Sequence, residues 1–366
     1  MLPTQLGLHF WPTFSYVSGF RIDYLSPTVY LLDVFISLYI FTSRESINQF
    51  LQKNKNKVII IGIFIFLNIL FSISPLNTIF WILRFLLYLL FVLSLSVNKV
   101  KIEEILSPLL ISTGMVLLIE VIHLITQGSV GGLTYWLGER TFSVTTPNIA
   151  KLELFGREVL RPYSTFSHPN SLAGYLFLIV LLIKKTRLYQ RTLPFLIIGI
   201  IMTMSKSTIL CTIIIFLNIP PFYIYVSALL NTFGLLFIPN KEAIQLPLSI
   251  SSRVYFVKTA KEVIQRFPIF GVGIGSYLPS LIEVISNKYL SLSTLQPVHN
   301  AVILTISEIG VVPSAMSVFL LLKKRIINNK NSKYIAVIIL LATFDHYFYT
   351  LPQNKLLLLI SLLYLV

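Results

Sequence analysis

The residues of this chain best placed to do chemistry are a histidine, His299, and two arginines, Arg161 and Arg253. An imidazole has an ordinary pKa of about 6.5, so it can take a proton from a hydroxyl near neutral pH. A guanidinium offers a planar fork of donors that matches phosphate and carboxylate oxygens. Arg161 opens a polar stretch, LRPYSTFSHPNSLAG, that runs from Leu160 to Gly174 and also contains His168 and Asn170. Pro169 suits the first position of a helix, and Ser167 or Asn170 can satisfy the free N–H groups of that helix start. Free amides beside a guanidinium favour an anion. The plain alternative is a capped helix entry with an arginine reaching the membrane interface. Arg253 stands near the start of SSRVYFVKTAKEVIQRF, where taken alone it reads as a headgroup contact. His299 and Asn300 open QPVHNAVILTISEIG. Glu308 lies nine residues deeper, about 13 Å along a helix, which is too far to bond His299 directly.

Metal and nucleotide chemistry find little to work with. The chain has three aspartates, Asp23, Asp33 and Asp345, far apart in sequence, and its outer loops carry no D-x-D or E-x-D pair and no paired histidines. Hard divalent cations require several clustered oxygen ligands, so neither a metal nor another cofactor is expected. The single cysteine, Cys211, excludes an intramolecular disulfide and a cysteine-based metal cluster. Gly271, Gly273 and Gly275 alternate in FPIFGVGIGSYLPS without the G-x-G-x-x-G spacing of a dinucleotide fold. They predict close backbone packing instead.

The elements that must position these residues are membrane helices. The 366 residues are 55% hydrophobic and 12% charged, with mean hydropathy +0.81, against about 25% charged residues in a soluble domain. Apolar segments at 27–43, 57–73, 77–97, 105–126, 169–183, 299–322, 333–349 and 355–366 each approach the length of a span. The segment 192–238 is too long for one crossing, and Lys206 after Met204-Ser205 and the Pro220-Pro221 pair divide it into three short helices. The expected fold is therefore all-α, a polytopic transmembrane bundle of about 11 helices, with a range of about 10–12. Met1 leads into a polar, Pro-containing stretch, so a cleavable signal peptide is not expected, and the first helix is expected to be short.

The net charge of +15 is largely a topology signal. About half of the 29 cations fall in the short loops 44–57, 98–104, 184–191 and 322–333, which would all lie on the cytoplasmic side. Nucleic acid is not needed to explain them. Two long loops, 127–168 and 239–298, are then extracytoplasmic. The first carries a small hairpin signal around Gly156 in LELFGREVL. The second carries an amphipathic helix near 252–267, with Val254, Val257, Ala260, Ile264 and Phe267 on one face, Ser251 or Ser252 as its cap and Pro268 as its stop. Asp33, Arg84, Glu120, His123, Glu308, Asp345 and His346 fall at membrane depth, where charged groups are functional candidates. Glu120 and His123 share a helix face, and Arg84 can neutralise Glu120 or Asp33.

Taken together, RPYSTFSHPNSLAGYL, TMSKSTIL at 203–210, SSRVYFVKTAKEVIQRFPIFGVGIGSY at 251–277, VHNAVILTISEIG at 298–310 and FDHYFYTLPQ at 344–353 resemble the O-antigen ligase superfamily. This superfamily comprises lipopolysaccharide ligases, O-antigen polymerases and protein O-oligosaccharyltransferases. The resemblance covers most of the chain, and Lys206 stands where the family tends to have arginine. It implies a GT-C-like enzyme in the bacterial cytoplasmic membrane. Its partners would be an undecaprenyl-diphosphate-linked glycan donor, a hydroxyl-bearing acceptor on a glycan, lipid or protein, and the bilayer itself. Carried over position by position, it assigns His299 as the base and Arg161 and Arg253 as diphosphate ligands, without metal or nucleotide. His168, Asn170, Lys206, Asn300 and Glu308 are candidate supporting residues. The alternatives are a polymerase of the same superfamily and, from another class, a proton-coupled transporter of lipid-linked sugar using Glu120, His123 and Asp345.

Overall fold

Every apolar segment anticipated in the sequence contains a helix, but most of these helices are short. A computed structural model describes residues 3–365 except 155, 244, 287–288 and 324–330. Much of the basic loop 322–333 therefore lies outside the described residues. The chain begins with β1 (Gly7–His9), β2 (Tyr16–Val17), β3 (Phe20–Arg21) and β4 (Thr28–Tyr30), paired antiparallel as β1–β4 and β2–β3. Then come α1 (Leu31–Thr42), α2 (Arg44–Lys53), α3 (Lys55–Leu70), α4 (Pro75–Val97), α5 (Ile102–Thr126) and the single turn α6 (Leu133–Trp136). The hairpin β5 (Lys151–Leu154) and β6 (Arg157–Leu160) turns at Gly156, where φ is +75, as its sequence predicts. α7 (Pro169–Ile183), α8 (Tyr189–Met202), α9 (Lys206–Phe216) and α10 (Pro221–Phe233) follow, then α11 (Asn240–Ala243), α12 (Leu248–Arg266) and α13 (Tyr277–Ser280). The chain closes with α14 (Ala301–Ile309), α15 (Val311–Lys323), α16 (Ser332–Phe344), α17 (Tyr347–Thr350) and α18 (Pro352–Leu365).

The expectation of about 11 spans needs correction. Among the described residues two helices, α4 and α5, are long and apolar enough to cross a membrane, or three spans if the bent pair α14–α15 counts as one. The other apolar helices are interrupted by residues that break the i to i−4 ladder. Met204 with φ +54 separates α8 from α9, and Pro220-Pro221 separates α9 from α10, as the sequence anticipates. The helix expected over 299–322 is in fact two, bent by 117° at Gly310. The amphipathic helix in the second loop is also longer than expected. It begins at Leu248 after Pro247 rather than at Ser251 or Ser252.

The main core surrounds α7, whose residues are buried on all faces from Ser171 to Ile183. A helix apolar all round belongs at the centre of a bundle, and α5, α8, α9, α17 and α18 pack around it. A separate core joins the N-terminal segment to α12, α13 and α14 through Ile22, Val257, Tyr277 and Leu304. Between these layers runs the glycine-rich stretch after α12. Its Val272 and Gly273 N–H groups donate to the Ser307 and Glu308 carbonyls at 3.0 Å, orphan acceptors at the end of α14. A Cβ on Gly273 would lie 2.2 Å from Ser72 Oγ, and one on Gly310 would lie 2.1 Å from the Ile269 carbonyl oxygen. These glycines thus serve close backbone passage, as their spacing predicts.

Gly310 combines that contact with φ +86. Gly310→Ala should destabilise the protein by at least about 2 kcal/mol, read as a lowered unfolding midpoint of the detergent-solubilised chain. An unchanged midpoint would mean that the bend does not need glycine.

Candidate functional site

The polar stretch from Leu160 to Gly174 is held by the C-terminal half of α5. His123 Nδ1 accepts from the Ser164 N–H at 3.2 Å, and Ser164 Oγ donates to the Val116 carbonyl at 2.9 Å. On its other side, His123 Nε2 meets Glu139 at 2.5 Å. Glu139 also accepts the Val130 and Gly131 N–H groups. His123 is therefore paired with the first long loop and not with Glu120. Both Glu120 carboxylate oxygens are buried without a hydrogen-bond partner among the described residues. Arg84 lies beside Asp33, at 3.9 Å, so of its two anticipated partners it has taken Asp33.

This anchoring fixes the entry to α7. His168 is the N-cap, its Nδ1 accepting the Asn170 N–H at 3.1 Å, so neither Ser167 nor Asn170 supplies the cap. The side chain of Asn170 is free to bridge. Its Oδ1 accepts from Arg161 Nη2 at 2.7 Å and its Nδ2 donates to Asp345 Oδ2 at 3.1 Å. Arg161 Nε donates to the Thr203 carbonyl at 3.0 Å, in the break between α8 and α9. Lys206, one turn beyond that break, is exposed.

Asp345 occupies the break between α16 and α17 and gathers the rest. Its Oδ1 accepts the His346 N–H at 2.7 Å and lies 3.6 Å from His299 Nδ1, an ion-pair distance. The His299 ring stands edge-on to Phe256 at 5.7 Å and beside His346 at 5.3 Å. Asn300 is the N-cap of α14, its Oδ1 accepting the Val302 and Ile303 N–H groups at 3.0 Å. Arg253 lies one turn before Phe256 on α12. Among the described residues no contact joins it to Arg161 or His299. Glu308 does not reach His299; it accepts from Tyr349 and from the Tyr277 N–H.

The fold thus joins Arg161, Asn170, Asp345 and His299 in one continuous set of polar contacts. It also adds two residues that the sequence did not assign to this site. Arg140 donates to the Ser167 carbonyl at 3.3 Å, a further cation at the mouth. His346, read in sequence only as a charge at membrane depth, bonds Thr350 Oγ1 through Nδ1 at 2.8 Å and turns Nε2 towards Asp345. The adjacent Asp345-His346 pair was the available signal. The expectation that metal ligands are too scattered to cluster is corrected in three dimensions. His299, Asp345 and His346 offer ligand atoms within 4.8 Å of one another, a nitrogen-rich set suited to a transition-metal ion rather than to Mg²⁺ or Ca²⁺.

Burial pulls the His168 imidazole down to about 4, and the Asp345 charge offsets this only in part. Below the ordinary value of 6.5 the unfolded chain takes up a proton at His168 that the folded chain refuses until about 4. Stability must therefore fall as pH drops through that window and level off beneath it. His168→Asn, which can still cap the helix, should flatten part of this slope in unfolding midpoints measured from pH 7 to pH 4. An unchanged slope would show that His168 ionises freely in the fold.

Comparison with protein-family models, with curated proteins and with solved structures finds no match to this chain.

Proposed function

We propose that the chain is a membrane glycosyltransferase of the O-antigen ligase type. In this reading it moves a glycan from undecaprenyl diphosphate to an acceptor hydroxyl on the outer face of the bacterial cytoplasmic membrane. The observation that carries the reading is the continuous set of contacts from Arg161 through Asn170 and Asp345 to His299. It sets a cation and a base at the two ends of one polar bridge, as a transfer from a phosphate leaving group requires. The interrupted apolar helices are read as a polytopic, GT-C-like bundle with the loops 127–168 and 239–298 outside.

Asp345 faces Nδ1 of His299, which leaves Nε2 for the acceptor. As the hydroxyl oxygen bonds to the anomeric carbon, its proton passes to Nε2 and the carbon–oxygen bond to the diphosphate breaks. The diphosphate departs with the electron pair. Asp345 stabilises the imidazolium that forms, and a single displacement inverts the anomeric centre. Arg161, fixed by Thr203 and Asn170, and Arg253 on α12 are the proposed ligands of the leaving diphosphate. Guanidiniums there stabilise charge that grows in the transition state. His299 acts through its free lone pair, so a transition-metal ion captured by His299, Asp345 and His346 would inhibit.

Purified protein given lipid-linked glycan and a hydroxyl acceptor should release undecaprenyl diphosphate. His299→Ala should slow release by about 10²–10⁴-fold. Arg161→Lys, which keeps the charge but loses the fork to Asn170, should be clearly impaired. Full activity in both well-folded variants would refute the mechanism. A polymerase of the same superfamily uses the same donor. It would lengthen glycans in a donor-only reaction, whereas a ligase would leave them unchanged until an acceptor is added.

A further inference from the structure

A second polar site lies on the far side of Tyr24 from the imidazoles. Tyr24 stands edge-on to His346 at 5.8 Å, and Thr350, which bonds His346, forms part of the same wall. Behind them is a cavity of about 150 Å³ between residues 24–29, α4 and the start of α18. Phe80, Trp81 and Tyr24 give it aromatic walls, and Arg84 and Lys355 both line it.

Of the two cations, Arg84 is paired and Lys355 lacks a direct counter-charge among the described residues. Lys355 is only 7% exposed. Its ammonium sits 4.2 Å above the Trp81 ring and 5.3 Å from that of Tyr349, and no carboxylate or hydrogen-bond acceptor meets it among the described residues. The nearby carboxylate of Glu308 is already engaged by Tyr349 and Tyr277. Arg84 donates to the Thr28 carbonyl and lies over the Tyr30 ring at 4.8 Å. Asp33, which also accepts from the Tyr30 N–H and the Tyr88 hydroxyl, lies 3.9 Å from the Arg84 Nε and supplies its counter-charge. Lys355 also occupies the first turn of α18, where the helix dipole disfavours a cation and favours an anion. A buried ammonium without a direct counter-charge is costly, and an anion held between Lys355 and Arg84 would offset that cost.

We propose that this cavity binds an oxyanion carried by the substrate, a phosphate or the carboxylate of an acidic sugar, through Arg84 and Lys355. The cavity is small, about 150 Å³. The aromatic walls suit the apolar faces of a sugar ring. Its role as a subsite for the transferred glycan or the acceptor rests on the glycosyl-transfer reading, but its ability to bind an anion does not. The site is separate from the diphosphate ligands proposed above and selects a charged unit next to the reacting bond.

The test is binding of glucuronate, inorganic phosphate and neutral methyl glucoside to the full chain in detergent, by calorimetry. Glucuronate or phosphate should bind and methyl glucoside should not. Stronger binding of glucuronate assigns the pocket to an acidic sugar, and stronger binding of phosphate to a phosphate-bearing one. Lys355→Met and Arg84→Gln should each weaken anion binding about tenfold or more, the loss of one charge-assisted hydrogen bond. Without ligand, Lys355→Met should leave the unfolding midpoint unchanged or raise it, since it removes an uncompensated charge. His299→Ala should bind the anions normally, which separates this proposal from the transfer mechanism. Equal binding of methyl glucoside, no binding of either anion, or undiminished affinity in both variants would overturn it.

Discussion

The site depends on one buried carboxylate, that of Asp345. Among the described residues no lysine or arginine contacts it; instead it is met from two distant parts of the chain and by its own neighbour. Asn170 reaches it from the start of α7, His299 from just before α14, and His346 through the backbone at the break after α16. Withdrawing one partner from a buried charge costs about 3–5 kcal/mol, so these parts are held to one mutual position. α16 ends where Asp345 must turn inward, and α7 begins where Asn170 must face it. The breaks before α7 and after α16 let these polar groups meet, which continuous helices through Asn170 and Asp345 would not allow.

Around this point the molecule is built in two layers. The lower layer is the apolar packing about α7, which fixes where the His168 cap and the Asn170 bridge emerge. The upper layer, centred on α12, α13 and α14, sets the His299 ring against Phe256. The glycine-rich stretch bonds the last carbonyls of α14 while passing close to Ser72, between α3 and α4, and to Thr78 on α4. The bend at Gly310 then turns α15 away and leaves α14 short enough to present His299 at its start.

Much of this was legible in the sequence, and the reasons are local. Proline pairs, a capped helix entry and a glycine between two extended runs act within a few residues. The breaks at Met204 and Pro220-Pro221, the start of α7 and the hairpin at Gly156 could therefore be read directly. Arg161 and His299 stood out because their residue types have no role in crossing a bilayer. What escaped was long-range. Asp345 and Asn170 are 175 residues apart, and no periodicity links them. The pairing of His123 with Glu139 was hidden because Glu120 offered a nearer partner on the same helix. The bend at Gly310 was hidden because apolar residues continue through it, and a mid-helix glycine alone does not announce a positive φ.

The most direct measurement is a double-mutant cycle on the release of undecaprenyl diphosphate, using His299→Ala, Asp345→Asn and the two combined. If Asp345 acts by holding and stabilising the His299 imidazole, the combined variant will be no slower than His299→Ala alone. Losses that simply multiply would show two independent roles, and unchanged release in all three would remove the base from the mechanism.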